Sequence, residues 1–416
     1  MQNLRKSKLH VKNIFCFLWL FLATLQSFYF YELGLALPPF LSSMMAAIGC
    51  IVLSQMRLRK DLIILVRPIG YLLFYIAFLG SISLINSSGD FYLSRFFALP
   101  LYLSSALFFL FLAVNDWERL AKLLKTILWI HLFCFYTQVV SHYGFGFVID
   151  FLSPFTGESQ RVIGGNYEHN LAGGGVLLRP SGLFNEPGTY ACYTFLLYIM
   201  YRYFWHKDLA YGKLELIDYL YFTSVLLSFS IFGFVLLGFY MAASALRNPR
   251  NNVIIISIIT LCTPLLVTYY IAPRFFSGQY DETGINFRVF VLENFLNYSA
   301  DNNYLNIIFG VGFFSDMSSV FGDYALNDLG FAFFGFFTFG VLGFLTVSYG
   351  LRSGKMTTAL LISVTILFLT KVSPSSFFFW IYIAFISIIA NKKIRNRINC
   401  KMYNIHENRT NNNRAK

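Results

Sequence analysis

Long apolar runs recur along this chain and constrain its fold more than any other feature. A helix needs about 20 predominantly apolar residues to cross the hydrocarbon core of a bilayer. Hydrophobic residues make up 57% of the 416 and charged residues only 12%, too few to cover a soluble protein of this length. The sequence predicts an all-α, polytopic transmembrane helical protein with about twelve spans, forming one integral membrane domain over residues 1–416. The spans are expected near residues 13–32, 36–55, 68–86, 95–114, 126–146, 189–205, 217–230, 231–246, 253–272, 330–350, 356–373 and 376–391.

Basic residues cluster in the short segments between these runs. The clusters lie at residues 5–12, 57–60, 119–125, 207–213, 247–250, 352–355 and in the tail at 392–416. This distribution follows the positive-inside rule, which places segments rich in Lys and Arg in the cytoplasm. The net charge of +12 is therefore a topology signal, and we expect no nucleic-acid partner. Both termini, including the basic tail at 392–416, are predicted to be cytoplasmic.

Residues 217–246 are long for one membrane helix and short for two. One crossing here would place Arg247 to Arg250 and the basic tail outside, against the positive-inside rule. The sequence therefore predicts two short helices, separated or bent near Ser228 to Ser230.

This topology turns two long loops outward, at residues 147–188 and 273–329. They contain no lysine but do contain arginine, at Arg161, Arg179, Arg274 and Arg288. Guanidinium groups can bind phosphate oxygens through two parallel hydrogen bonds, which lysine cannot do. The four arginines are candidates for phosphate contacts, with pairing to neighbouring carboxylates as the alternative.

The first loop ends in a glycine-rich stretch, RVIGGNYEHNLAGGGVLLRPSGLFNEPGTYA, at residues 161–191. Glycines adopt backbone conformations closed to other residues and expose N–H groups that can meet an anion. Glu186 precedes a proline, which favours an extended backbone, so the next helix should open at Gly188 and Thr189. The stretch predicts a shaped turn for an anionic ligand. The alternative is a simple helix start at which Glu186 complements the helix dipole.

The segment RPSGLFNEPGTYA at 179–191 resembles the Arg-x-x-Gly-Leu-Phe-x-Glu-Pro signature of the O-antigen polymerase (Wzy) and O-antigen ligase superfamily. Later segments are similar in order. RVFVLENFLNY begins at Arg288, IIFGVGF follows at 307–313 and NDLGFAFFGFFTFGVLG at 327–343. The similarity covers roughly residues 160–345, whereas the N-terminal spans agree only in hydropathy.

The resemblance implies a GT-C-like membrane glycosyltransferase of the bacterial inner membrane. Such enzymes polymerise undecaprenyl-pyrophosphate-linked oligosaccharide repeat units into O-antigen, a part of lipopolysaccharide, at the periplasmic face. The expected partners are that lipid-linked oligosaccharide, membrane lipid and a chain-length regulator, and no cofactor is expected.

Two alternatives to a polymerase remain open. An O-antigen ligase usually has a histidine in the second large loop, and residues 273–329 contain none, which favours the polymerase. A flippase or transporter for the same lipid-linked sugars would also need many helices. Transporters, however, tend to show internal repeats with binding groups near the bilayer midplane, and the sequence shows no clear repeat.

The candidate site residues follow from the chemistry of a lipid-pyrophosphate leaving group, whose developing negative charge needs stabilisation. The outer loops hold no Asp-x-Asp motif and no His or Cys cluster suited to a metal, so we expect metal-independent catalysis. Arg179 and Arg288 lead as pyrophosphate contacts, followed by Arg161 and Arg274. Candidates to activate the acceptor hydroxyl are Glu186, then Asp328 and His169. Lys371 is the only lysine predicted at the outer face. Its side chain either extends from a helix end toward the membrane surface or binds a lipid phosphate.

Overall fold

The fold is built from helices. The computed structural model describes residues 2–30, 35–54, 69–70, 74, 78, 93–157, 159–160, 169–170, 176–206, 209, 214–247, 285–302, 304–312, 335–342, 345, 357–372 and 376–391. In these ranges the helices are α1 (Gln2–Thr24), α2 (Leu37–Ser54), α3 (Leu93–Asn115), α4 (Trp117–Phe145), α5 (Ser153–Thr156), α6 (Pro187–His206), α7 (Leu216–Leu227), α8 (Ile231–Arg247), α9 (Ile285–Asn302), α10 (Leu305–Phe309), α11 (Thr358–Leu369) and α12 (Phe377–Ala390). Residues 335–342 are also helical.

Two short antiparallel ladders accompany the helices. Strand β1 (Tyr29–Phe30) pairs with β2 (Leu35–Ala36) directly before α2. Strand β3 (His169–Asn170) pairs with β4 (Val176–Leu177) before the turn that leads into α6.

Two described helices are long and apolar enough to cross a membrane, one covering residues 98–115 of α3 and the other all of α4. Six shorter apolar helices accompany them, in α1, α2, α7, α8, α11 and α12. Several helix bounds agree closely with the predicted spans, such as 377–390 against 376–391 and 37–54 against 36–55. The predicted span 253–272 and most of 68–86 and 330–350 lie outside the described residues.

Helix α4 begins earlier than its predicted span at 126–146. It starts at Trp117, with only Asp116 between it and the end of α3, and therefore includes the basic cluster 119–125. Lysine, arginine and leucine are good helix formers, so the helix continues past the apolar run that hydropathy detects. The first helix departs from its prediction as well, since α1 ends at Thr24 and not near residue 32.

Helix α6 lies at the centre of the described structure. Nearly every residue from Pro187 to Phe204 is buried, whichever side of the helix it lies on. A helix that is buried all round must be surrounded by other elements, and α6 contacts α4, α8, α11 and α12. The first turn of α6 is therefore held on several sides, which matters for the residues immediately before it.

A second group of contacts joins the N-terminal and C-terminal helices. Helix α3 packs against both α2 and α12, and α2 also packs against α1. Trp380 of α12 is fully buried and stacks on Tyr102 of α3, with ring centroids 5.6 Å apart. These contacts enclose the side of the core that α12 shares with α6.

The segment 217–246 forms two helices, as predicted. Helix α7 ends at Leu227 and α8 begins at Ile231, with Phe229 between them at a φ of 47°. The left-handed conformation reverses the chain, and the rings of Phe222 and Tyr240 meet at 6.2 Å between the two helices. The pair is thus a hairpin, and α8 returns toward the end from which α7 started.

The two predicted outer loops contain regular structure. The range 147–188 includes α5, the β3–β4 ladder and an ordered turn at 178–186. The range 273–329 includes the 18-residue helix α9 and the short α10.

Candidate functional site

The turn 178–186 directly precedes Pro187, the first residue of α6. At that position the missing N–H of proline leaves no hydrogen bond unmade. The carbonyl of Glu186 accepts the first helical hydrogen bond, from the Tyr190 N–H at 3.1 Å. Glu186 therefore occupies the position just outside the helix, which begins one residue earlier than the predicted start at Gly188.

Two buried glutamines hold the turn in shape. Gln160 donates from Nε2 to the carbonyls of Gly182 at 2.8 Å and Phe184 at 2.7 Å. Gln138 of α4 accepts at Oε1 from the backbone N–H groups of Ser181 and Gly182, at 3.0 and 2.8 Å. Both glutamine side chains are fully buried, so each hydrogen bond is shielded from water. The backbone of the turn is therefore fixed by side chains from outside it.

An aromatic stack holds the same turn against α4 and α6. Phe184 is fully buried, with its ring stacked on His131 at 5.2 Å and on Tyr193 at 5.8 Å. Gly182 has a φ of 59° and lies so close to α4 that a Cβ would be 3.4 Å from the backbone nitrogen of Phe135. The glycine supplies both the left-handed conformation and the close approach.

Glu186 forms an ion pair with Lys371. Its Oε1 lies 2.5 Å from the Lys371 Nζ and also accepts a hydrogen bond from the Thr189 hydroxyl at 3.1 Å. The two charged side chains are only 15% and 16% exposed. The sequence predicted Lys371 at a helix end on the outer face but did not predict this partner, which is 185 residues away.

Arg179 lies at the start of the turn. It is half-buried, between the buried residues Leu178 and Pro180. The Leu178 carbonyl accepts a long hydrogen bond, 3.5 Å, from the Tyr143 hydroxyl of α4. The arginine is thus carried on an anchored backbone, on the same turn as Glu186.

The other predicted site residues are described in part or not at all. His169 is on β3 and Arg288 is in α9, and only the backbone is described at both positions. Arg161, Arg274 and Asp328 lie outside the described residues. Of the seven candidates, Arg179 and Glu186 are the two that the structure brings onto one described element, and the roles of the remaining five stay predictions.

The later segments that carry the sequence resemblance, at residues 288–298, 307–313 and 327–343, contact one another where the structure describes them. The Val311 N–H donates to the Phe337 carbonyl at 2.9 Å, and the Gly312 N–H donates to the Thr338 carbonyl at 3.1 Å. Phe295 of α9 packs on Phe337 with ring centroids 4.9 Å apart. The helix that carries Arg288 is therefore joined to both glycine-containing segments.

A second polar cluster lies at the opposite end of α6. Glu215 accepts hydrogen bonds from Lys125 at 2.5 Å and from the Trp205 indole at 2.8 Å. Burial alone would raise the pKa of the Glu215 carboxyl, but the hydrogen bonds from Lys125 and Trp205 outweigh it and hold the pKa below its usual value of 4.5.

Beside this cluster, Arg202 of α6 pairs with Asp218 of α7. The Nη1–Oδ2 distance is 3.1 Å, and the side chains are 1% and 0% exposed. Asp218 lies in the first turn of its helix, where a carboxylate complements the helix dipole. It caps that helix, accepting the Glu215 N–H at 2.6 Å, but it also neutralises a buried arginine.

Sequence reasoning missed Gln138 and Gln160, and it singled out Lys371 without its partner Glu186. Gln138 stands in an apolar run, and a polar side chain in such a position is a signal of an internal hydrogen-bond network. Gln160 stands in the polar stretch GESQR and carried no such signal. Comparison with protein-family models, curated proteins and solved structures finds no match to this chain. Within the described ranges, no group of three or more His, Cys, Asp or Glu could hold a metal ion.

Proposed function

We propose that this chain is a multi-pass inner-membrane polymerase of undecaprenyl-pyrophosphate-linked oligosaccharide repeat units. It transfers the glycan from one lipid pyrophosphate to a hydroxyl of another lipid-linked unit at the periplasmic face. The proposed site comprises Arg179, Glu186 and Arg288, with Arg161, Arg274, Asp328 and His169 as further candidates. A surrounding GT-C-like fold of about twelve spans, with two outward loops, belongs to the same proposal.

The observation that carries the proposal is the construction of the turn 178–186. A half-buried arginine and a carboxylate stand on one short segment, whose backbone is held by Gln138, Gln160 and the Phe184 stack. Catalytic groups need such support, because small displacements weaken charge-assisted contacts strongly. A simple helix start would need none of the glutamine contacts.

The contacts at the two ends of α6 support the proposed topology. At its first turn, Glu186 meets Lys371, and both residues are predicted to be outside. At its last turn, Trp205 meets Glu215, which also binds Lys125, and these residues are predicted to be cytoplasmic. Residues assigned to the same side of the membrane therefore lie together in the structure.

The reaction breaks the bond between the anomeric carbon and the pyrophosphate oxygen of the donor. The acceptor hydroxyl oxygen forms the new glycosidic bond and gives its proton to a carboxylate, for which Glu186 is the first candidate. The bonding electron pair leaves with the lipid pyrophosphate. In this proposal Arg179 binds its oxygens through two parallel hydrogen bonds and stabilises that charge.

The test is reconstitution of the purified chain in liposomes with the lipid-linked repeat unit. We expect polymer of several repeat units, measured by gel electrophoresis of the released glycan, and we expect it to persist in EDTA. In cells that lack the gene, a polymerase defect leaves lipopolysaccharide with a single repeat on its core. Lipopolysaccharide with no repeat would instead indicate a ligase or a flippase.

The buried Arg202–Asp218 pair is the observation that favours a transporter as a second candidate. Ionisable residues within membrane helices often mark transport pathways. Here, however, Asp218 also caps α7 beside Glu215, at the opposite end of α6 from Glu186. A structural role at the helix end accounts for the pair without a pathway, so the polymerase remains the preferred proposal.

A further inference from the structure

Lys371 is anchored so that its side chain points back to the start of α6. Helix α11 ends at Leu369, and the next residues cross over α6, where the Lys371 N–H donates to the Cys192 sulfur at 3.3 Å. Val372 is fully buried behind it. The lysine thus sits on a docked segment, and its ammonium reaches a fixed place.

The ammonium lies between a carboxylate and an aromatic ring. Its Nζ is 2.5 Å from Glu186 Oε1 and 5.3 Å from the ring centre of Phe232 on α8. The Cys192 thiol on α6 accepts the Lys371 N–H, and Arg179 stands earlier on the same turn as Glu186. Helix α8 contributes the Phe232 ring, and Lys371 is a cation held directly at the Glu186 carboxylate.

Gly188 has no side chain to compete for the space beside the Glu186–Lys371 pair. A Cβ at this position would lie 3.3 Å from Glu186 Oε1 and 3.5 Å from Lys371 Nζ. The first distance is tighter than usual and the second is an ordinary van der Waals contact, so a larger residue would press on the Glu186 carboxylate. Glycine in the first turn of a helix is otherwise unfavourable for helix formation, and the pair gives it a reason.

Burial makes the protonation of Glu186 depend on Lys371 more strongly than it would in an ion pair at the surface. A carboxylate that is mostly removed from water takes up a proton more readily, whereas a neighbouring cation favours its ionised form. Lys371 therefore opposes the effect of burial on Glu186. The Thr189 hydroxyl converges on the same oxygen and helps to orient the carboxylate.

We propose that Lys371 is a positioning residue that keeps Glu186 ionised and fixes its carboxylate for proton transfer from the acceptor hydroxyl. The inference rests on the proposed polymerase function, but the ionisation of Glu186 can be measured without it. The alternative is that the pair only fastens the α11–α12 segment to α6.

The first experiment follows the protonation of Glu186 by infrared titration of the purified protein. The protonated carboxyl band assigned to Glu186 is the one that disappears in Glu186→Gln. In Lys371→Met we expect this band to appear at a pH at least one unit higher than in the native chain, and in Lys371→Arg at nearly the native pH. A band that does not move in Lys371→Met overturns the proposal, whether or not the protein is a polymerase.

The second experiment measures the polymerisation rate against pH for the same variants. We expect the polymerisation rate of Lys371→Met to be about tenfold or more lower than the native rate at neutral pH. The acid limb of its pH–rate profile should move to higher pH. Lys125→Met is the matched control. It removes a lysine–glutamate contact of the same 2.5 Å length at the other end of α6, and its acid limb should match the native one.

Two further variants keep the test decisive if Lys371→Met folds poorly. Thr189→Val removes the other donor to Glu186 Oε1 without changing a charge, and we expect a smaller loss of rate with normal abundance. The exchange Glu186→Lys with Lys371→Glu restores an ion pair of reversed sense. Restored abundance without restored polymerisation supports the proposal, whereas restored polymerisation means that the pair is only a fastening. A further outcome is that the native chain makes no polymer while the Glu186 band still appears at higher pH in Lys371→Met. That result would refute the polymerase function and leave the effect of Lys371 on Glu186 standing.

Discussion

Gln138 donates a hydrogen bond of 2.8 Å to Gln160, and the two side chains together hold the turn that carries Arg179 and Glu186. The Oε1 of Gln160 also accepts from the Phe151 N–H at 3.0 Å, while its Nε2 contacts two carbonyls of the turn. One amide group thus links α4, the start of the first long loop and the candidate site. Its loss would remove the partner of the Gly182 carbonyl and of the Phe151 N–H, whereas the Phe184 carbonyl would keep the Ser181 hydroxyl at 2.6 Å.

Gln160→Leu should therefore destabilise the protein strongly. Each buried polar group left unsatisfied costs about 1–3 kcal/mol, so we expect a loss of about 3 kcal/mol or more and reduced polymer synthesis. Thermal unfolding in detergent measures the change. Gln26→Leu is the matched control. Among the described residues the Gln26 side chain makes one hydrogen bond, to the Ala23 carbonyl at 3.1 Å, and its loss should cost about 1 kcal/mol. Equal effects of the two substitutions would contradict the role given to Gln160.

Asp218→Asn should be among the most destabilising single changes in α7. It leaves the buried Arg202 without a counter-charge, at a cost of about 3–5 kcal/mol. The double variant with Arg202→Met removes both charges and should recover much of that loss. Asp116→Asn is the control, because Asp116 pairs with Arg119 nearer the surface and its loss should cost at most about 1 kcal/mol. Full polymerisation by the double variant would also argue against a transport pathway through this pair.

Glu215 gives the protein a stability term that depends on pH. Its pKa lies below the usual 4.5 in the folded chain, so the unfolded chain binds the proton more tightly. The stabilisation is complete above pH 4.5 and is lost as pH falls through the lower folded value. The melting temperature of the native chain should therefore fall more steeply below pH 4.5 than that of Glu215→Gln. Parallel curves for the two proteins would show that Lys125 and Trp205 do not stabilise the carboxylate.

The sequence predicted the local structure better than the contacts between distant residues. Hydropathy and the positive-inside rule led to the break at Ser228 to Ser230, because both signals are local. The beginning of α4 at Trp117 was missed, since a helix can continue beyond the apolar run. For the candidate site, the sequence singled out Arg179 and Glu186 by motif. Lys371 could not be assigned to Glu186, because no local rule joins residues 185 positions apart.

A cysteine at Ser159 tests the side of the membrane on which the first loop lies. Ser159 is exposed and adjoins Gln160, so its thiol should react with an impermeant reagent added to intact spheroplasts. A cysteine at Asn115, exposed at the junction of α3 and α4, should react only after lysis. The native chain supplies the background from its own cysteines. The reverse labelling pattern would place the turn in the cytoplasm and rule out a periplasmic polymerase site.

Arg179→Lys and Glu186→Gln test the candidate site directly. Lysine keeps the charge but cannot form two parallel hydrogen bonds with a pyrophosphate, and one such charge-assisted bond is worth about 1.5–3 kcal/mol. We therefore expect Arg179→Lys to slow polymerisation by about tenfold or more at normal abundance.

Glu186→Gln keeps the shape of the side chain but cannot take the proton, so it should be nearly inactive. It also leaves Lys371 without a carboxylate in a mostly buried place, and this alone could reduce the amount of folded protein. The double variant with Lys371→Met removes both charges and separates the two effects. If Glu186 is the base, the double variant should recover membrane abundance and still make no polymer. If Glu186 only caps α6, recovered abundance should bring back a full lipopolysaccharide ladder, and RPSGLFNEPGTYA would then be a structural turn.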